Sequence, residues 1–320
     1  MVAEQSRLTK PDVLMVGRYP EWEMPEFERD YVVHKLWMAT DRADFLRGVG
    51  PRIRAIATNG VLGAGAALID ACPKLEIIAC FGVGFDAIDL DRARARGVRV
   101  ANTPGVLTED VADMAFALIL ASMRRIVEGD AFVRSGAWKK GGLRLGRSLR
   151  GKTLGVLGYG RIGRAIARRA PAFGMTVAYC DVAKDSGSPQ AYCADPVSLA
   201  RASDVLVAAT AGGASTRNLV DAAVFDALGP EGLFVNVSRG SVVDEPALIA
   251  ALAERRIGGA ALDVFWNEPN IDPRLLEFEN VIVQPHHASG TIEARKVMGK
   301  LVRDNLAAHF AGRPLPTPVI

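Results

Sequence analysis

Cysteine is scarce in this sequence, and its spacing fits neither a metal site nor a redox pair. The 320 residues include four cysteines, Cys72, Cys80, Cys180 and Cys193, and no two of them form a C-x-x-C pair. Zinc sites and dithiol centres need such closely spaced thiols, so the sequence supports neither class. We expect reduced, mostly buried thiols in a reducing compartment, and no metal site.

Long apolar segments and a strong net charge are also missing. The most apolar stretch, residues 111–123, contains Asp113 and is shorter than the ~20 residues that a bilayer-spanning helix needs. The formal net charge is only +3 and the basic residues are scattered, which does not favour nucleic-acid binding. The opening segment, MVAEQSRLTKPDVLMV, lacks the apolar core of a secretory signal. These features predict a cytoplasmic protein that binds neither membrane nor nucleic acid.

Short apolar runs alternate with helical patterns along the chain, which is typical of parallel sheets covered by helices. The predicted strands are DVLMV, YVVHKLW, IRAIAT, LEIIACF and VRVAN in a first series, and TLGVLG, MTVAYCD, DVLVAAT, GLFVNVS, GGAALDV and VIVQP in a second. Between the series, residues 108–135 predict one long helical stretch without proline or glycine before Gly129. A final helix is predicted over residues 291–310. The sequence therefore predicts two α/β domains.

A glycine loop follows the first strand of the second series. In TLGVLGYGRIGRAIARR, Gly158, Gly160 and Gly163 have the G-x-G-x-x-G spacing, between an apolar strand and an amphipathic helix. Such glycines allow a tight turn, close approach of a pyrophosphate, and close helix–strand packing. The next strand ends at Asp181, 181 − 158 = 23 residues after the first glycine, near the usual place of the acid that holds the adenosine ribose. The order of these parts predicts a dinucleotide site, and a carboxylate there favours NAD over NADP.

Three further ionisable residues follow predicted strands of the second series. Arg239 follows GLFVNVS, Glu268 follows GGAALDV, and His286 follows VIVQP. Each alone is explained as well by a solvated turn or a strand-end polar residue. Ligands of parallel α/β sheets bind at the carboxyl ends of the strands, so the repetition of this pattern predicts one shared site.

These three side chains have complementary chemistry. A guanidinium binds a carboxylate or polarises a carbonyl through paired hydrogen bonds. An imidazole transfers a proton to or from an alcohol oxygen while hydride moves to or from a nicotinamide. A carboxylate beside the imidazole fixes its tautomer and keeps the acid form available. The set predicts reversible reduction of a 2-oxo acid.

Several blocks resemble the D-isomer-specific 2-hydroxyacid dehydrogenases. The blocks are RGKTLGVLGYGRIG, NVSRGSVVDEPALIAAL, GGAALDVFWNEP and QPHHASGT. Within that family, ANTPGVLTEDVADMAFALIL and DALGPEG are most similar to the glyoxylate/hydroxypyruvate reductases. The similarity extends from about residue 81 to the last residue. It implies an NAD(P)H-dependent reduction of glyoxylate or hydroxypyruvate to the D-2-hydroxy acid.

The resemblance also implies the role of each site residue. The family's catalytic Arg–Glu–His set falls on Arg239, Glu268 and His286, because the catalytic histidine directly follows the proline of its block. His287 then occupies a position that is usually apolar. The implied substrate-binding groups are Arg239 and the backbone amides of Val83 and Gly84 in FGVGFD. The implied cofactor contacts are Thr108, Gly158, Gly160, Arg161, Ile162, Gly163, Asp181, Val237, Ser238 and Asp263.

The family resemblance further implies a domain organisation and a homodimer. Residues 1–103 with 290–320 are expected to form a flavodoxin-like substrate domain, and residues 104–289 a Rossmann NAD(P)-binding domain, both doubly wound around a parallel sheet. The long helix from Thr108 is expected to join the domains and to contribute to dimerisation. Trp138 resembles an aromatic residue that reaches a neighbouring subunit's site, although a core or interface role explains it equally well.

The cofactor preference is left open between two arguments. Similar plant hydroxypyruvate reductases carry Ser–Arg after the second strand of the cofactor domain, which suits NADPH. This chain has Asp181 and Val182 there, which suits NADH, and Lys184 softens the contrast. We therefore expect NAD, with NADP as the alternative.

Other functions within and beyond the family fit the same blocks. A phosphoglycerate, 2-ketogluconate or lactate-like dehydrogenase would share the catalytic set. A formate dehydrogenase is disfavoured because it carries glutamine where Glu268 stands. An NAD-sensing transcriptional corepressor would keep the same residues, but the chain shows no peptide-docking or disordered tail.

Overall fold

The computed structural model describes residues 10–320, which divide into two compact units. Among the described residues, the first unit comprises 10–106 and Thr291–Ile320, and the second comprises Leu107–Gly290. Residues 1–9, which make up most of the opening segment MVAEQSRLTKPDVLMV, lie outside the described residues. Among the described helices, none has both the length and the apolar character that a membrane span requires.

The first unit is built on a five-stranded parallel sheet with the order β2-β1-β3-β4-β5. Every strand overlaps a predicted one. The strands are β1 (Asp12–Met15), β2 (Val32–Lys35), β3 (Ala55–Asn59), β4 (Ile77–Phe81) and β5 (Arg99–Ala101). The helices that follow them within residues 10–106 are α1 (Met24–Asp30), α2 (Arg42–Val49), α3 (Ala66–Asp70) and α4 (Leu90–Ala95). This strand order is that of the flavodoxin-like fold, as predicted.

The second unit contains a seven-stranded parallel sheet with the order β12-β11-β10-β9-β6-β7-β8. Its strands are β6 (Thr153–Leu157), β7 (Thr176–Cys180), β8 (Ala191–Tyr192), β9 (Val205–Ala208), β10 (Leu233–Asn236), β11 (Gly259–Leu262) and β12 (Val281–Val283). The order reverses at β6, which pairs with β7 on one side and β9 on the other. This is the Rossmann arrangement with one further strand, so the predicted fold class is confirmed. Only the two-residue β8 has no counterpart among the predicted strands.

The helices of the second unit include one correction to the sequence analysis. They are α5 (Thr108–Met123), α6 (Ile126–Arg134), α7 (Arg161–Arg169), α8 (Pro196–Arg201), α9 (Ala222–Leu228) and α10 (Glu245–Ala253). The single helical stretch predicted over residues 108–135 is wrong, because the chain breaks at Arg124–Arg125. Arg125 adopts a left-handed φ of 54°. Its side chain donates to the Leu145 carbonyl and pairs with Glu128 at 2.6 Å, which stabilises the break without a glycine.

The last helix, α11 (Ile292–Phe310), returns to the first unit and packs over β4. The Thr291 hydroxyl caps it by accepting the Ala294 amide at 3.1 Å. Within the helix, Arg303 forms ion pairs with the buried Glu23 and with Glu26. A buried carboxylate is costly without such a partner, so this pair fixes α11 against the segment before α1.

Candidate active site

The three predicted catalytic residues lie in loops that follow neighbouring strands. Arg239 follows β10, Glu268 follows β11 and His286 follows β12, and these strands are adjacent in the sheet. Because the strands are parallel, all three loops leave the same edge of the sheet. The second unit therefore places the three loops that contain Arg239, Glu268 and His286 at one edge of its sheet.

His286 and Glu268 form a direct hydrogen bond. The Nδ1 atom of His286 lies 2.7 Å from Oε2 of Glu268. The other carboxylate oxygen, Oε1, accepts the backbone amide of Phe265 at 3.0 Å. The Glu268 side chain is 17% exposed and that of His286 is 30% exposed. Glu268 thus fixes the ring through Nδ1, and Nε2 is the ring nitrogen that it does not engage.

The charge state of Glu268 follows from its surroundings. Burial raises the pKa of the Glu268 carboxyl, but the hydrogen bond and charge of His286, the Phe265 amide and the charge of Arg239 together outweigh that effect. The pKa of Glu268 is therefore lowered from its ordinary value, and the group stays a carboxylate at neutral pH. The contribution from Arg239 shows that the guanidinium lies within electrostatic range of the histidine–glutamate pair.

Arg239 stands in a turn with little space around its backbone. Its Nη1 donates to the Ser238 carbonyl at 2.7 Å, and the side chain is half-buried. The next residue, Gly240, meets the backbone of Phe265 so closely that an added Cβ would lie 1.9 Å from its carbonyl carbon. Only glycine permits this contact, which sets the Arg239 turn directly against the loop that leads to Glu268.

Asn236, which the sequence analysis missed, stabilises the Arg239 turn through hydrogen bonds of its side chain. It is the last residue of β10 and is 1% exposed. Its Oδ1 accepts the amide of Ser238 at 3.0 Å and the Ser238 hydroxyl at 2.7 Å, and its Nδ2 donates to the Arg239 carbonyl at 3.0 Å. A buried amide with all these bonds made fixes the turn in one conformation. The available signal was its polarity in an otherwise apolar strand.

Asp263, predicted as a cofactor contact, lies buried under the His286 loop. Its carboxylate accepts the amides of His287 at 2.6 Å and Ala288 at 3.0 Å, and its carbonyl accepts the amide of His286 at 2.7 Å. Burial raises the pKa of Asp263, against the opposing effect of the His287 and Ala288 amides. Asp263 thereby fixes three consecutive backbone positions, including that of His286, which has a left-handed φ of 52°.

His287 occupies a different environment from His286. Its side chain is exposed, and its ring packs against Gly290, where an added Cβ would lie 2.3 Å from Nε2. The Gly290 amide also donates to the His287 carbonyl at 2.7 Å. The structure therefore pairs only His286 with Glu268, and His287 closes the turn that follows.

The glycine loop has the geometry of a dinucleotide site. Gly158 has a φ of +92°, and an added Cβ at Gly163 would lie 1.9 Å from the Gly158 carbonyl oxygen, so the turn and the helix–strand packing both require glycine. Gly160 instead faces open space, with no protein atom within 4 Å of an added Cβ. It precedes α7, whose first residues are Arg161 and Ile162. The open side of Gly160 and the amides of this helix start fit a pyrophosphate.

Asp181 lies directly beside the glycine loop. Its Oδ2 accepts the Tyr159 amide at 2.6 Å and its Oδ1 accepts the Val182 amide at 2.7 Å. Each oxygen retains acceptor capacity for a ribose hydroxyl. The carboxylate is thus fixed directly after β7, beside the glycine loop.

The remaining predicted residues lie at the carboxyl ends of strands or at the start of a helix. Val237 and Ser238 are buried after β10, and Thr108 is the first residue of α5. In the first unit, Val83 and Gly84 follow closely after β4, and the Val83 carbonyl accepts a hydrogen bond from Nδ2 of Asn102 at 2.7 Å. A trans peptide holds the Gly84 amide on the side opposite that carbonyl, so this amide points away from Asn102.

Comparisons with known proteins agree with this geometry. The family described as D-isomer specific 2-hydroxyacid dehydrogenase, NAD binding domain, matches residues 116–288. The chain is 46% identical over 308 residues to hydroxyphenylpyruvate reductase of Plectranthus scutellarioides, covering 96% of this chain and 98% of that protein. It is also 46% identical to 2-ketogluconate reductase of Gluconobacter oxydans (strain 621H), covering 98% and 99%. The NADPH-dependent glyoxylate/hydroxypyruvate reductase of Sinorhizobium meliloti, solved with NADP and malonate, superposes with a TM-score of 0.89 at 42% identity, covering 97% of each chain.

The close contact at Gly240 generates a first prediction. We expect Gly240→Ala to lower the free energy of unfolding by about 1–3 kcal/mol, because the Phe265 backbone cannot move aside as a side chain would. Gly142→Ala is the control, since an added Cβ at Gly142 meets open space, and it should change stability by less than ~0.5 kcal/mol. Calorimetric melting of both variants measures the difference. Equal melting temperatures would show that the contact imposes no constraint.

Proposed function

The chain belongs to the D-isomer-specific 2-hydroxyacid dehydrogenase family, and from that premise we propose that it reduces a small 2-oxo acid, glyoxylate or hydroxypyruvate, to the D-2-hydroxy acid. The enzyme class is that of NAD(P)-dependent oxidoreductases. The observation that carries the proposal is the 2.7 Å contact between His286 and Glu268, beside Arg239, in the unit that holds the glycine loop. Binding alone needs no acid–base pair, whereas this reduction does.

The proposed mechanism assigns one task to each side chain. When bound, NAD(P)H supplies the hydride that reduces C2 of the oxo acid. His286 gives the proton on Nε2 to the carbonyl oxygen, and Glu268 stabilises the ring through Nδ1 throughout. Arg239 polarises the carbonyl and binds the acid group with paired hydrogen bonds. In the reverse direction His286 takes the proton back from the hydroxyl.

Further contacts with the cofactor and substrate are part of the proposal. The glycine loop and the start of α7 would hold the pyrophosphate, and Asp181 the adenosine ribose. The other proposed cofactor contacts are Thr108, Arg161, Ile162, Val237, Ser238 and Asp263. The amides of Val83 and Gly84 would bind the substrate carboxylate, which makes the first unit the substrate domain and the second unit the cofactor domain. The domain limits 1–103 with 290–320 and 104–289 belong to the same proposal.

The function is tested by steady-state rates with glyoxylate, hydroxypyruvate, pyruvate and 2-ketogluconate, each with NADH and with NADPH. We expect glyoxylate and hydroxypyruvate to be reduced fastest. Preferred turnover of 2-ketogluconate would favour the activity named for the Gluconobacter relative. If none of the four acids is reduced with either cofactor, the proposal fails, and a corepressor role becomes the better explanation.

The assignment of the proton donor predicts unequal effects at the two adjacent histidines. His286→Ala should lower kcat for oxo-acid reduction by at least ~100-fold, because it removes the general acid. His287→Ala is the matched control and should retain most of the activity, because its ring lies against Gly290 rather than Glu268. Comparable losses in both variants would contradict the assignment of His286.

The lowered pKa of Glu268 leads to a prediction on pH dependence. Because the folded protein lowers the pKa of Glu268, the ionised carboxylate contributes to the stability of the folded state at neutral pH. This contribution is lost as the pH falls through the pKa that Glu268 has in the folded protein. Glu268→Gln should slow reduction by about 10- to 100-fold, part of what general acid catalysis contributes. It should also shift the basic limb of the pH–rate profile to lower pH. An unshifted profile would show that Glu268 does not act through His286.

We also propose a homodimer and a cytoplasmic location. The surface of α6 and the loop after it carries large apolar side chains that are mostly solvent-exposed: Ile126, Val127, Val133, Trp138 and Leu145. Exposed apolar side chains concentrated in one segment of the chain support a protein interface, and the occupant proposed is a second copy of this chain, with Trp138 in the contact. Sedimentation equilibrium should give twice the 34.2 kDa of the chain, and Val127→Glu should shift the mass toward the monomer.

A further inference from the structure

Two acidic residues near the end of β7 have different partners. Asp181 accepts the amides of Tyr159 and Val182, as described above. Asp185 forms an ion pair with Arg164, and its Oδ1 accepts the Gly187 amide at 3.0 Å. The first carboxylate is therefore engaged with the backbone, and the second binds a guanidinium.

Arg164 and Asp181 both contact Tyr159, one at its ring and the other at its backbone amide. Arg164 is in the first turn of α7, just after the glycine loop. Its guanidinium carbon is 4.8 Å from the centroid of the Tyr159 ring, and Tyr159 is the residue whose amide bonds to Asp181. The hydrogen bond with Asp185 raises the pKa of Arg164, and the charge of Asp181 contributes as well, which places the two groups within electrostatic range.

The segment that carries Asp185 is fixed by the surrounding tyrosines. The Asp185 amide donates to the Tyr179 hydroxyl at 2.8 Å, and the Ser188 hydroxyl donates to the Tyr159 hydroxyl at 3.0 Å. The Tyr159 and Tyr179 rings stack with centroids 4.0 Å apart. An ordinary surface ion pair gains little because both side chains must be ordered. In this pair the Asp185 backbone is already fixed by Tyr179, and the Tyr159 ring beside Arg164 is fixed by its contacts with Tyr179 and Ser188.

We propose that Asp185 acts as a second determinant of cofactor preference, by holding Arg164 away from a 2′-phosphate that Asp181 already repels, so that the protein prefers NADH. The inference rests on the proposed function and deepens it. Asp181 supplies the repulsion, and Asp185 occupies the nearby guanidinium that would otherwise bind the phosphate. Val182 is fully exposed and uncharged, so its side chain offers no group that would bind the 2′-phosphate. Lys184 is an exposed, strongly hydrated cation without the paired geometry of an arginine.

This arrangement makes the two acids interdependent. Removing Asp181 alone ends the repulsion but leaves Arg164 bound to Asp185. Removing Asp185 alone releases Arg164 but leaves the charge of Asp181, which still repels the phosphate. Only the removal of both leaves a guanidinium available for the phosphate, so the two substitutions should act more than additively.

The test measures binding rather than turnover. Dissociation constants are determined by calorimetry for 5′-AMP and adenosine 2′,5′-bisphosphate, and by fluorescence for NADH and NADPH, with the full chain. The variants are Asp181→Ser, Asp185→Ser, the double variant, and the double variant with Arg164→Gln. We expect the unchanged protein to bind NADH at least about tenfold more tightly than NADPH, since one like-charge contact costs that much or more.

The double variant should bind the bisphosphate at least about tenfold more tightly than Asp181→Ser does, the gain of one charge-assisted hydrogen bond. Adding Arg164→Gln should abolish that gain. Asp113→Ser is the matched control, because Asp113 of α5 forms an ion pair with Arg169, which lies on α7 as Arg164 does. Its loss tests for a general effect of removing an acidic charge near α7. Asp113→Ser should leave the ratio of AMP to bisphosphate affinities unchanged.

Two results would overturn the inference. One is equal affinity of the unchanged protein for NADH and NADPH, and the other is a double variant that binds the bisphosphate no better than Asp181→Ser. If neither NADH nor NADPH binds at all, the proposed function fails and this inference fails with it. Reduction of oxo acids with both cofactors at equal affinity would leave the proposed function intact and remove only the role of Asp185.

Discussion

The hydrogen bonds of one buried carboxylate determine where the proposed proton donor stands. Asp263 lies at the end of β11 with almost no exposure, and a charge in that position is tolerated only because two backbone amides of the next loop point at it. Those amides belong to the residues directly after His286. The cost of leaving the carboxylate without partners therefore resists any rearrangement of the His286 loop, and the ring meets Glu268 without a conformational search.

The neighbouring strand uses the same principle with a neutral group. Asn236 ends β10, and its amide holds the Ser238–Arg239 turn, while its carbonyl accepts the Asp263 amide at 3.0 Å. Asn236, which holds the Arg239 turn, and Asp263, which holds the His286 loop, are thus joined by one backbone hydrogen bond between β10 and the residue after β11. The proposed reaction geometry therefore depends on two buried polar groups, Asn236 and Asp263.

The sequence was sufficient for the parts that depend on spacing and insufficient for those that depend on contacts. The parallel sheets, the glycine loop and the strand-end positions of Arg239, Glu268 and His286 follow from apolar periodicity and from punctuation by glycine and proline. The break at Arg125 was missed because a left-handed arginine leaves no compositional signal. Asn236 and the Arg164–Asp185 pair were missed because a buried amide and a surface ion pair differ from ordinary polar residues only in their partners.

The return of α11 to the first unit bears on the order of folding during synthesis. The second unit, Leu107–Gly290, is contiguous, whereas the first also requires Thr291–Ile320. Glu23 lacks its ion-pair partner until Arg303 has left the ribosome. The second unit can therefore fold while the first is still waiting for its last helix, the reverse of the usual order in which amino-terminal domains fold first.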